Sequence, residues 1–218
     1  TDGERVYLRH KAFGADLSDA DSVRPHVIPT AGFTSARPQH RTYWTVGTGY
    51  YPGAGIRMAQ WSRPWGDILV TDGKKFYEVR GFPAKRHAYF DPRLNGYLMF
   101  AASLEQERDG KKESKDKDEA GKWSQRIPLT GEAMTMAGDT LFVAGRPAYF
   151  PPDHAVENYR LSHAGKLGGV LWVASTEDGE KLAQYKLDSP PVWDGLAAAN
   201  GRLYLSLKDG RLICMGKK

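Results

Sequence analysis

The sequence predicts an all-β protein, and three observations lead to that fold class. Helical periodicity is scarce, because no long stretch of the 218 residues places apolar side chains at i, i+3, i+4 and i+7. Glycine and proline, present 24 and 13 times, interrupt the chain throughout. Asp-Gly, a dipeptide that favours tight hairpin turns, occurs six times, whereas random placement would give about two. We therefore expect short strands joined by hairpins.

Three hairpins follow directly from this pattern, each with Asp-Gly between two strand-like runs. They are residues 68–70 with 76–79, 170–174 with 181–185, and 203–207 with 212–215. In the last hairpin, apolar and polar residues alternate with the period of a half-buried strand. A type I′ turn is expected at Asp209-Gly210. Cys214, in the same alternating strand as Leu212, is expected to be a buried structural thiol.

A longer self-similarity underlies the hairpins. A shift of 62 residues places Trp123 on Tyr185 and Ala137 on Ala199. Similar strand entries follow Gly3 and Gly73, so four copies lie 62 to 70 residues apart. This repetition predicts four-stranded antiparallel sheets with insertions between them. Radial repetition of such sheets is the β-propeller architecture.

The predicted organisation is a single β-propeller portion of about three to four blades. Residues 1–41 would form the end of a blade plus an insertion, and residues 42–86 a blade. Residues 87–149 would form a blade with a charged, solvated loop at 105–122, and 150–218 an insertion and the C-terminal blade. Because the chain begins in the last strands of a blade, we expect a second polypeptide or an N-terminal segment to complete the ring.

Composition excludes several classes of protein. The 31 basic and 26 acidic residues give a net charge of +5, and the basic residues are scattered, which argues against nucleic-acid binding. One cysteine cannot form an internal disulfide, a zinc finger or a c-type haem site. No apolar run approaches the roughly 18 residues that a transmembrane segment needs.

Residues 170–183 (VLWVASTEDGEKLA) and 199–214 (ANGRLYLSLKDGRLIC) resemble the pyrroloquinoline-quinone-like (PQQ-like) propeller repeat. Over nearly its whole length the chain is similar to the C-terminal half of large secreted propeller proteins of planctomycetes and related bacteria. This resemblance implies a bacterial protein outside the cytoplasm, either periplasmic or secreted. The tryptophan that docks neighbouring repeats in this family is matched only by Trp123. No cofactor- or calcium-binding residue of the quinoprotein dehydrogenases can be matched here, so no cofactor is predicted.

The candidate ligand-binding segment lies near residues 38–51, where aromatic side chains stand beside arginine and histidine. Aromatic faces next to such groups suit a sugar, a quinone or an aromatic ligand at the mouth of a propeller. The predicted ligand-binding residues are His40, Arg41, Tyr43, Trp44 and Trp65. The alternative is that Tyr43 and Trp44 pack between blades.

No catalytic or metal-binding residue is predicted. The six histidines form no HxH or HExxH pair. His154, with Asp153 and Glu157, follows Pro151-Pro152 and is interpreted as part of a surface loop. The sequence also lacks GxSxG and a phosphate-binding loop.

The function expected from these observations is a non-catalytic binding or scaffolding module outside the cytoplasm. Its blades would present the insertions 12–41 and 146–166 to a protein or glycan partner. The alternative is part of a PQQ-dependent, quinoprotein-type oxidoreductase, with the rest of its site on an N-terminal half. A third possibility is a polysaccharide-active enzyme, which would need two converging carboxylates.

Overall fold

The computed structural model describes residues 3–8, 11–29, 44–47, 65–66, 68–80, 97–103, 123–148 and 155–216. Strands make up 60% of these residues and helix 6%, which confirms the all-β fold class. The described strands are β1 (Val6–Leu8), β2 (Lys11–Phe13), β3 (His26–Pro29), β4 (Trp44–Gly47), β5 (Trp65–Gly66), β6 (Ile68–Thr71), β7 (Lys75–Arg80), β8 (Tyr97–Ser103), β9 (Trp123–Ile127), β10 (Ala133–Ala137), β11 (Thr140–Gly145), β12 (Gly169–Ser175), β13 (Lys181–Leu187), β14 (Pro191–Ala199), β15 (Arg202–Leu207) and β16 (Leu212–Gly216). Helix α1 (Ala155–His163) lies between β11 and β12.

The strands form antiparallel meanders in which each strand pairs with its neighbour in sequence. Strands β6–β9 form a four-stranded sheet, called the front sheet, and β10–β13 form a second, the middle sheet. Strands β14–β16 form the three-stranded back sheet. Two smaller sheets, β3–β5 and β1–β2, precede them in the chain. The predicted four-stranded antiparallel sheets are therefore present.

The limits of these sheets differ from the predicted segments. Strand β7 pairs with β8 along six residue pairs, so the predicted boundary at 86/87 falls inside the front sheet. Strand β11 pairs with β12 in the same way, so the boundary at 149/150 falls inside the middle sheet. In a sequence, a long connection between two strands of one sheet cannot be distinguished from a connection between two sheets, because strand pairing is not visible there.

The 62-residue repeat corresponds to equivalent strands in the middle and back sheets. Ala137 pairs with Thr140 across the β10–β11 turn, and Ala199 pairs with Arg202 across the β14–β15 turn. Both turns contain two residues. Trp123 lies in β9 and Tyr185 in β13, which are the last strands of the front and middle sheets in chain order. The 62-residue shift therefore matches the last strand of the front sheet to the last strand of the middle sheet. It also matches the first two strands of the middle sheet to the first two strands of the back sheet.

The turns correct one expectation from the sequence. Asn200 and Gly201 have φ values of 52° and 69°, as both central residues of a type I′ turn require. At Asp209-Gly210, where this turn type was predicted, only Gly210 has a positive φ. The Asp209 carboxylate instead accepts a hydrogen bond from the backbone N–H of Arg211 at 3.1 Å. An Asx-type turn thus replaces the predicted one.

Two apolar clusters hold the three larger sheets together. The front and middle sheets share a core whose fully buried members include Val79, Met99 and Leu141. The middle and back sheets share a second core that includes Leu171 and Leu205. Strand β10 contacts both β6 and β14, so the first strands of the three sheets lie side by side.

The last strand departs from its predicted burial. Ile213 and Met215 face the core, whereas Leu212 is 66% exposed and Cys214 is exposed. The prediction of a buried Cys214 is therefore wrong. Because side chains alternate in direction along a strand, Leu212 and Cys214 share one face of β16 and Ile213 and Met215 share the other. No described strand covers the face that carries Leu212 and Cys214.

The described helix does not have the dimensions of a membrane span. Helix α1 has nine residues. Within the described ranges, no helix is long and apolar enough to cross a bilayer.

Candidate functional site

The predicted ligand-binding residues fall largely beyond the described ranges. His40, Arg41 and Tyr43 lie outside the described residues, and Trp44 and Trp65 are described only as members of β4 and β5. These two strands pair, with Thr45 opposite Trp65. The two tryptophans are thus on neighbouring strands, and their role in binding stays a prediction. Asp153 and His154 also lie outside the described residues, whereas Glu157, which was predicted to lie in a surface loop with them, is in helix α1.

A different group of polar residues gathers around Glu132, which immediately precedes β10. Glu132 is 5% exposed, although it is charged. Its carboxylate accepts hydrogen bonds from the Arg146 guanidinium and from the Thr130 hydroxyl, the latter at 3.1 Å. Lys208 approaches the second carboxylate oxygen at 3.4 Å. A buried carboxylate thus lies between two cations, and these pairs offset much of the cost of removing its charge from water.

Arg146 extends this network to helix α1. One terminal nitrogen of its guanidinium lies 2.9 Å from Nδ1 of His163 and donates to the His163 backbone carbonyl at 3.1 Å. Because a guanidinium can only donate, Nδ1 acts as the acceptor and the imidazole proton is placed on Nε2. The Ser162 hydroxyl donates to the Pro147 carbonyl. The C-terminal end of α1 is therefore fixed to the chain that leaves β11.

One side of α1 faces outward. Val156 is 73% exposed, and Glu157 and Arg160 form an exposed ion pair with 2.6 Å between Oε1 and a guanidinium nitrogen. The hydrogen bond from Arg160 lowers the pKa of the Glu157 carboxyl, and the same contact raises the pKa of Arg160. This surface presents one apolar and two charged side chains to solvent.

A bulge in β14 lies next to Glu132. The pairing of β14 with β15 shifts between Pro191 and Leu196, and Asp194 within this bulge has a φ of 54°. The Asp194 backbone N–H donates to the Glu132 carbonyl at 2.8 Å. Trp193, next to Asp194, is 50% exposed. Bulges and left-handed non-glycine residues are often found where a fold re-aims side chains at a functional site.

This cluster has no direct signature in the sequence. Glu132 and Lys208 are 76 residues apart in the chain, and Arg146 and His163 are 17 apart. No short motif joins them. The available signals were a charged residue directly before an apolar strand and the basic composition of the insertion 146–166, and neither identifies a partner.

The residues around Glu132 are suited to holding helix α1 in place and to exposing a side chain at the surface. The Lys208 side chain, which pairs with Glu132, is half exposed and carries its charge to the surface. Among the residues that the structure describes, no group of three or more His, Cys, Asp or Glu side chains is arranged to hold a metal ion.

No family model matches the chain, and the comparison with curated proteins found no match.

Proposed function

We propose that this protein is a non-catalytic binding or scaffolding module that acts outside the cytoplasm and presents a helical insertion to a protein or glycan partner. The observation that carries the proposal is the connection from buried Glu132 through Arg146 to His163 at the end of α1. Recognition surfaces often lie on insertions held by a rigid scaffold. This helix is held by such a scaffold.

The outward surface of α1 favours a protein over a glycan. Val156 offers an exposed apolar contact, and the Glu157–Arg160 pair lies within one helical turn of it. An apolar side chain bordered by charges is suited to a small protein interface. A glycan would instead be expected to use Trp193, whose indole could stack on a sugar ring.

We also propose that the sheets belong to a PQQ-like propeller whose ring a further segment completes. Leu212 and Cys214 pair with β15 as Leu171 and Val173 pair with β11. Leu171 and Val173 are 0% and 7% exposed beneath the back sheet, whereas their counterparts in β16 are exposed. The repeat therefore supports a further sheet packed on the outer face of the back sheet. No cofactor is part of this proposal.

A site-specific photo-crosslinker tests the binding role. The crosslinker replaces Val156 in one variant and Lys186, an exposed residue of β13, in a control. We expect a defined adduct from position 156 in extracts of the source organism, and none from position 186. Adding Glu132→Gln should lower the yield at position 156, because the helix loses its attachment. Equal labelling at both positions would contradict the proposal.

The oxidoreductase alternative predicts a different property. Material purified from its source would carry a quinone whose absorption extends beyond the protein's own ultraviolet bands. An absorption spectrum of native material therefore separates the two functions.

A further inference from the structure

The contact between Arg146 and His163, at the C-terminal end of α1, requires a neutral imidazole. A terminal guanidinium nitrogen of Arg146 lies 2.9 Å from Nδ1 of His163. A guanidinium has only N–H donors, so Nδ1 must offer its lone pair. An imidazolium carries a proton on both ring nitrogens and offers no acceptor. Protonation of His163 would therefore replace a hydrogen bond with two opposed N–H groups that both carry positive charge.

The ring of His163 is accessible to the proton that would break this contact. His163 is an exposed residue, and imidazole is the side chain whose charge changes between about pH 5 and 8. The second hydrogen bond from Arg146, to the His163 backbone carbonyl at 3.1 Å, does not depend on that charge. Protonation thus removes one of the two hydrogen bonds that join Arg146 to the end of the helix, and it adds a repulsion.

Cations flank His163 both on its own helix and on the chain that leaves β11. On α1, Arg160 lies one turn before His163 and is paired with Glu157, and Lys166 follows the helix. From the chain after β11, Arg146 faces the ring directly. An imidazolium at this position would therefore add a positive charge to a group of basic side chains.

The carboxylates on the elements beside α1 do not offset that charge. The connection between β13 and β14 reaches the end of α1, since a Cβ built on Gly165 would lie 3.3 Å from Cγ of Pro190. Within the described part of the chain, no carboxylate pairs with His163. The carboxylates of the neighbouring elements are Glu132, paired with Arg146 and Lys208, Asp188, paired with Arg211, and Asp194, in the β14 bulge.

Arg146 is less free to move away from a charged ring than the helix is. Its Nε donates to Glu132, which is 5% exposed, and a departure of the guanidinium would leave this buried carboxylate short of a counter-charge. The end of α1 is held by the two bonds from Arg146 and by the hydrogen bond from the Ser162 hydroxyl to the Pro147 carbonyl. The helix end, rather than Arg146, should therefore yield to the repulsion.

We propose that His163 is a pH-sensitive switch that sets how firmly α1 is held. While the imidazole is neutral, Arg146 binds both Nδ1 and the backbone carbonyl, and the helix is anchored. When the ring is protonated, the end of the helix loosens, so the anchored state is present at neutral pH and is lost as the pH falls. This inference rests on the proposed function of α1, since it adds regulation to the same surface. A partner that recognises the anchored helix should bind more weakly in mild acid.

Hydrogen exchange in the full chain at about pH 7.5 and about pH 5.5 tests the switch. Protection factors are compared, so that the pH dependence of the chemical exchange step is removed. We expect protection in the C-terminal half of α1 to fall about tenfold at the lower pH, and protection in β12 to stay constant. In His163→Asn, Oδ1 can accept from Arg146 but does not titrate, so α1 should stay protected at both pH values. Glu157→Gln, on the same helix, should retain the pH dependence.

Nitrogen-15 NMR of the imidazole follows the protonation of His163 in the unaltered chain, so the test does not depend on a variant. We expect an unprotonated Nδ1 at neutral pH, and protons on both ring nitrogens where α1 loses protection. Constant protection of α1 while the ring takes up a proton would overturn the proposal. A ring that is still neutral at about pH 5.5 would also overturn it, as would the same loss of protection in His163→Asn.

The crosslink at position 156 is measured at neutral pH, where the helix is anchored whether or not the switch exists. An adduct together with a flat exchange profile would overturn the switch and support the binding role of α1. A pH-dependent helix that gives no adduct would support the switch and overturn the binding role. The two proposals therefore fail separately.

Discussion

The indole of Trp123, in the front sheet, lies against the backbone of Gly179, in the turn between β12 and β13. Gly179 has a φ of 75°, and a Cβ built there would lie 2.5 Å from Cε3 and 2.6 Å from Cζ3 of the indole. The same ring donates to the Thr176 carbonyl of that turn. The front and middle sheets thus meet at Gly179, where the α-carbon has room for a hydrogen atom but not for a side chain.

Gly179→Ala should lower the free energy of unfolding by about 2–4 kcal/mol, because it combines a left-handed backbone with overpacking against Trp123. Gly210→Ala is the matched control. Gly210 has a φ of 87°, and a Cβ added there would meet no atom within 4 Å, so only the backbone cost of about 1 kcal/mol applies. Urea unfolding of both variants measures the difference. Equal losses of unfolding free energy in the two variants would show that overpacking against Trp123 adds nothing to the cost of the substitution.

Glu132→Gln should destabilise the fold by about 2–4 kcal/mol, because it leaves Arg146 without its buried counter-charge. It should also speed hydrogen exchange in α1, since Arg146 holds His163. Glu157→Gln removes an exposed ion pair on the same helix and should leave stability unchanged within measurement. If Glu132→Gln left exchange in α1 as it is in the unaltered chain, the network would not anchor the helix.

The acid dependence of stability should include a contribution from Asp72. Burial alone would raise the pKa of this carboxyl, but hydrogen bonds from the Lys75 and Lys74 amides and the Tyr77 hydroxyl outweigh it and lower the pKa below 3.8. The folded state therefore binds the proton more weakly than the unfolded state. The resulting stability is present above pH 3.8 and is lost as the pH falls through the folded value.

Asp72→Asn should flatten the fall in unfolding free energy over this acidic range, measured by urea titration from pH 5 down to about 2. Its stability at neutral pH should also be lower, because a neutral amide oxygen accepts the two backbone N–H groups less strongly. A slope identical to that of the unaltered chain would assign the acid sensitivity to other carboxylates.

Cys214 should react with a thiol reagent such as dithionitrobenzoate in the folded chain at a rate close to that in denaturant. Its side chain is exposed on the outer face of β16, and the nearest polar contact is the Arg202 guanidinium at 3.8 Å from Sγ. The measurement is the ratio of the two rates at one pH. A rate reduced by orders of magnitude would mean that this face is covered in solution.

The sequence was informative where local chemistry decides the structure. Alternation of apolar and polar residues identified β15, and the three Asp-Gly pairs at 72, 178 and 209 each lie between paired strands. The 62-residue repeat identified equivalent strands in successive sheets. These features depend on neighbouring residues and backbone conformation, which a sequence displays directly.

The sequence was less informative where distant residues meet. Burial of Glu132 depends on Arg146 and Lys208, whose positions are set by strand register and by the turn after β15. Exposure of Cys214 depends on what covers the back sheet, which alternation along one strand does not specify. The predicted ligand-binding residues His40, Arg41 and Tyr43 lie outside the described residues, so that hypothesis stands as a prediction.

The meander order of the strands bears on how the molecule is made. In every described sheet each strand pairs with the one synthesised just before or after it. A chain emerging from the ribosome can therefore finish the front sheet before the middle sheet has been translated, and each finished face becomes a template on which the next sheet condenses. Such vectorial assembly keeps newly made edges exposed only briefly, which limits aggregation during synthesis.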